Sequence, residues 1–135
     1  MEDFTPDQRI SITKGYCSMA QALNEYQVLH WSELSHEQHL DLNAYQNSLL
    51  NRAQDLQLQV SRPAFANVAD MATSVLHATT DAQAGLKHIN NLTVALNIGA
   101  ITVALAAYVA RANLRGIQTA LRELSDLLTL ENKVE

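Results

Sequence analysis

Five histidines stand in the chain, and three of them fall close to carboxylates, at His30, His36 and His39. Glu33-Leu34-Ser35-His36 has the Glu-x-x-His spacing that di-iron bundles place on one helix face, with Glu37 and Asp41 close by. A di-metal centre needs a second such pair and two further Glu from facing helices, and the long apolar repeat farther along offers no carboxylate. His36 and His39 are three apart rather than the four that sets two ligands on one face of a zinc-protease helix. A turn also falls inside the motif and separates Glu33 from His36. No metal and no cofactor are therefore expected. The reading kept for His30, His36 and His39 is a pH-responsive turn beside Glu33 and Glu37, since imidazoles titrate near neutral pH. It competes with the plainer one of solvated surface histidines.

Nucleophilic chemistry finds less support. The chain has no Gly-x-Ser-x-Gly elbow, and its four glycines are isolated, so no glycine-rich loop could cradle phosphate. Cys17 is the single cysteine, without a motif around it, and reads as a small buried hydrophobe. The chain is read as non-enzymatic.

The elements that carry these residues are helical, because Gly and Pro are scarce and Ala and Leu dominate. Thr5-Pro6-Asp7-Gln8 combines a cap, a proline for the first turn and a capping-box Gln. An apolar stripe follows at Ile12, Tyr16, Met19, Leu23 and Tyr26. It fails after His30, which predicts a turn near 31–35. Trp31, Tyr26 and Leu29 are expected to form an apolar cluster there, with an exposed partner contact as the alternative. Ser35 and Gln38 open a second helix, striped at Leu42, Tyr45, Leu49, Ala53, Leu56 and Val60. Pro63 marks the third.

From Phe65 to Leu128 runs a repeat of alternating threes and fours, and none of its positions holds a charge, Gly or Pro. It passes Val68, Ala72, Val75, Thr79, Ala82, Leu86, Ile89, Thr93, Leu96, Ala100, Val103, Ala107 and Ala110. It ends on Leu114, Ile117, Leu121, Leu124 and Leu128. Such a seam asks for a partner helix along its length. Asn90-Asn91 favours a break within it, although the repeat keeps its phase there. The prediction is an all-α antiparallel bundle of about four helices, near 6–31, 36–60, 63–89 and 92–130. It would form a single domain over 1–135, built on the heptad-patterned C-terminal element. The Leu-rich end of the seam (Leu114, Ile117, Leu121, Leu124, Leu128) is expected to bind a second copy or a protein partner.

Leu92–Ala110 carries no charge over nineteen residues, the lower range for crossing a bilayer. Small residues four apart, as at Ala95 and Gly99, allow close helix approach in lipid. Leu96, Gly99, Ala100, Val103, Ala107 and Tyr108 would then meet the membrane. The alternative is the central helix of a soluble bundle. The net charge of −5 argues against a nucleic-acid partner, which needs a basic stripe. An acidic, polar N-terminus points to a cytoplasmic protein, with signal-less export or membrane association as the alternatives. A self-associating or partner-binding helical protein is the first expectation, a membrane-active one the second, and a metal-binding helical-bundle enzyme a distant third.

Overall fold

A computed structural model describes residues 3–58 and 67–134, with side chains described through residue 129 in the last helix. The described chain is helical: α1 (Pro6–Leu29), α2 (His36–Leu58), α3 (Val68–Leu86), α4 (Leu92–Ala110) and α5 (Leu114–Val134). The expected start of the third helix at Pro63 lies outside the described residues, as do Val60 at the end of the second stripe and Phe65.

Both expected capping boxes are present. Thr5 Oγ1 accepts from the Gln8 amide, and Gln8 Oε1 accepts from the Thr5 amide. Ser35 and Gln38 repeat the exchange at the start of α2. Each box satisfies two amides that a helix start leaves orphaned. The α1 stripe from Ile12 to Tyr26 is buried throughout, and so are Leu42, Leu49, Ala53 and Leu56 of α2.

The seam breaks near Asn90 as expected. Asn91 caps α4, its side-chain oxygen accepting from the amides of Thr93 and Val94. A second break corrects the four-helix count to five among the described residues. At Arg111–Asn113 the expected fourth helix divides into α4 and α5. The Ala112 amide bonds the Val109 carbonyl and the Asn113 amide bonds the Tyr108 carbonyl. This is the Schellman ending, which needs one residue in the left-handed region. Ala112 takes that place with φ 51°, without the glycine that would have announced it. Asn113 then starts α5 by accepting from the Gly116 amide through its side chain.

Each break resets which face is buried. In α3 the seam points inward: Val68, Ala72, Val75, Thr79, Ala82 and Leu86 are all buried. In α4 the buried face is Ala95, Ile98, Gly99, Thr102, Leu105, Ala106 and Val109, and no seam position belongs to it. Thr93 is exposed, while Leu96, Ala100, Val103, Ala107 and Ala110 are half-buried. The repeat is thus continuous in sequence but turns outward on α4. In α5 it turns inward again at Ile117 and Leu124.

α4 is set against α1 and α2 by a close approach at Gly99. A Cβ there would lie 2.9 Å from the Tyr45 ring and 3.2 Å from Leu23. At the other end of α4, Tyr108 lies over Gly116 of α5, where a Cβ would meet the ring at 2.5 Å.

Candidate interaction surfaces

Three surfaces stand out among the described residues. The first is the outer face of α4. Its most apolar eighteen-residue window has a mean hydropathy of 2.0, yet only 44% of it is buried. The half-buried seam residues Leu96, Ala100, Val103 and Ala107 run along it beside exposed Thr93 and Asn97, with Leu96 and Val103 also touching the core on one side. Of the expected membrane-facing set, Gly99 is spent inside the fold against Tyr45 and Leu23, and Tyr108 is half-buried over Gly116.

The Leu-rich end of the seam is placed differently from the expectation. Ile117 and Leu124 are 0% and 1% exposed and belong to the core of the single chain. Leu121 and Leu128 are half-buried, and Leu114 is exposed. Two of the five residues expected to meet a partner are therefore already covered by the protein's own helices.

The second surface is the turn between α1 and α2. Gln27 is buried, and a buried amide must find partners. Its Nε2 donates to His39 Nδ1 at 3.0 Å and to Asn43 Oδ1 at 3.1 Å, while its Oε1 accepts from Gln46 Nε2 at 2.8 Å. His39 Nε2 lies 3.0 Å from the Trp31 carbonyl. These partners assign the His39 proton to Nε2, so that Nδ1 accepts and Nε2 donates. Both ring nitrogens are engaged within the protein. His30 pairs with Glu33 and stacks on Tyr26 at 4.2 Å, and His36 is exposed. The structure thus gathers His30 and His39 about the turn and leaves His36 apart. Glu33 and His36 do not share a helix, because α2 begins at His36. Among the described residues no group of three or more His, Cys, Asp or Glu is placed to hold a metal ion.

The preferred sequence reading of this turn does not hold, and its alternative of an exposed surface does. The expected apolar cluster of Trp31, Tyr26 and Leu29 does not form, since only Tyr26 is buried. Val28, Leu29 and Trp31 are 63%, 76% and 61% exposed. The Trp31 ring rests on the His39 imidazole at 4.2 Å and faces water on its other side. Cys17 is likewise exposed rather than buried, because it falls between Tyr16 and Met19 on the outer side of α1.

The third surface is a groove of about 410 Å³ where the C-terminal ends of α2 and α4 meet Tyr16 of α1. Arg52, Asp55 and Arg111 line it, with apolar walls from Leu56 and Val109. Neither guanidinium has an ion pair or hydrogen bond among the described residues. Between the turn and the groove, Tyr45 packs at the α4 contact. Burial, and after it the Asp41 carboxylate, raises its hydroxyl above the ordinary value of 10.0.

No protein-family model matches the sequence, and neither a curated protein nor a solved structure matches it.

Proposed function

We propose that this is a non-enzymatic helical assembly protein, a bundle whose successive helices alternate in direction, that self-associates through the outward heptad stripe of α4. The observation that carries this is the inversion of the seam. A helix with a mean hydropathy of 2.0 keeps an uncharged stripe at heptad spacing on its outer side. Ala100 and Ala107 keep that stripe shallow, so a second helix can approach closely, and Leu96 and Val103 supply apolar contact. A second copy brings an identical stripe, as a two-fold contact requires. The Leu-rich end of the seam contributes through Leu114 and Leu121 only. Ala100→Glu sets a charge on the stripe and is expected to lower the mass in solution with helicity retained. An unchanged mass would remove the proposal.

A second reading rests on the same helix. At nineteen residues, α4 has the length and composition to cross a bilayer. Liposome flotation separates the two: protein that floats with lipid makes α4 a membrane element, and protein that stays in the aqueous layer leaves it a helix–helix surface.

A further inference from the structure

The turn and the groove lie at opposite ends of the α1–α2 hairpin. Gln27 meets His39, Asn43 and Gln46 near one end, and Tyr16 shares the groove with Asp55 and Leu56 at the other. Fifteen residues, most of them in α1, separate Tyr16 from Trp31, about 22 Å at ~1.5 Å per residue. A chain cannot place its own turn in its own groove. A second copy can.

Charge and shape favour that occupant. From residue 25 to 41 the chain holds Glu25, Glu33, Glu37 and Asp41 and no Lys or Arg. All four carboxylates are exposed around the protruding Val28, Leu29 and Trp31. The groove offers the reverse, with two guanidiniums against one carboxylate and an apolar wall. Trp31 is held by the His39 ring and by the bond to its own carbonyl, so little freedom is lost when it docks. Arginine is the favoured cation for the face of an indole, and Trp and Arg dominate the energetics of protein contacts.

We infer that the α1–α2 turn of one copy docks in the Arg52–Arg111 groove of the next. Trp31 enters the groove, and the acidic rim faces its arginines. The contact is head-to-tail, so repetition gives a ring or an open chain. It is independent of the α4 stripe and uses neither Ala100 nor its neighbours there. Asp55 works against the contact, and Asp55→Asn is expected to strengthen it.

Two complementary variants test this, each in the Ala100→Glu background to silence the stripe. Trp31→Ser keeps the groove and loses the turn. Arg52→Gln with Arg111→Gln keeps the turn and loses the groove. Neither is expected to associate alone, whereas the mixture forms a 1:1 complex that does not extend. Trp31 is the only tryptophan, so in the mixture its emission reports the turn alone. Titrating the tryptophan-free variant into the arginine variant is expected to shift that emission to the blue, as Trp31 leaves water for the intact groove supplied by the added protein. High salt should abolish the shift, because it screens the acidic rim from the arginines. A mixture that sediments as the sum of its parts, with no shift in emission, overturns the inference. Should Ala100→Glu fail to fold, the same titration in the unaltered background reads the contact through Trp31 emission, and an unshifted spectrum there overturns the inference equally.

Discussion

At the residue scale, the sharpest departures from ordinary chemistry are a left-handed alanine and a buried amide. Ala112 holds φ 51° because the Schellman ending needs that conformation, and its Cβ makes it costly. Ala112→Gly is expected to raise stability by about 1 kcal/mol, read as a higher midpoint in urea. Gly116→Ala should act in the opposite direction, since the added methyl meets the Tyr108 ring. Gln27 joins α1 to three side chains of α2. Gln27→Leu strands those partners and should cost about 1–3 kcal/mol by the same assay, more than Gln38→Leu at a more exposed cap. Tyr45 gives a pH dependence. Its hydroxyl is raised in the fold, so the neutral form is the one folding favours. That contribution is complete below pH 10 and is lost as pH rises through the raised value. Tyr45→Phe should therefore lose less stability than the wild type above pH 10, as followed by circular dichroism.

At the scale of elements, the starts of α1 and α2 were legible because side chains announce them. Thr5 and Ser35 cap where their residue types suggest, whereas Asn91, read as part of a helix end, instead caps the start of α4; the α1 and α2 stripes bury most of the residues that their periodicity selects. The division of α4 from α5 was not legible. Arg111-Ala112-Asn113 contains no Gly or Pro, and the alanine adopts the unusual conformation only in the folded chain. The heptad seam was also misleading as a guide to burial. Its phase survives both breaks, but each break rotates the helix that follows, and periodicity alone cannot report which face meets the core. For Trp31 the second of two readings, an exposed ring, holds: an aromatic in a turn reads first as buried unless the stack and hydrogen bond beside it are known. One consequence separates the two parts of the seam. Leu124→Asp introduces a charge into the core and is expected to unfold the protein, whereas Ala100→Glu leaves it folded. Thermal melts of the two variants distinguish these outcomes.

For the whole molecule, the arrangement leaves an apolar stripe along α4, an acidic turn with exposed Trp31 at one end and an arginine-lined groove at the other. A single chain satisfies most of its apolar surface internally, but along α4 the seam positions Leu96, Ala100, Val103 and Ala107 stay only partly covered. That imbalance is the basis for assigning assembly as the protein's role. Sedimentation velocity of the wild type and Ala100→Glu at matched concentrations tests it most directly. The wild type is expected to sediment as a species heavier than the 14.9 kDa chain, and Ala100→Glu as a lighter one with the same helical content. Equal masses for the two proteins would contradict the account.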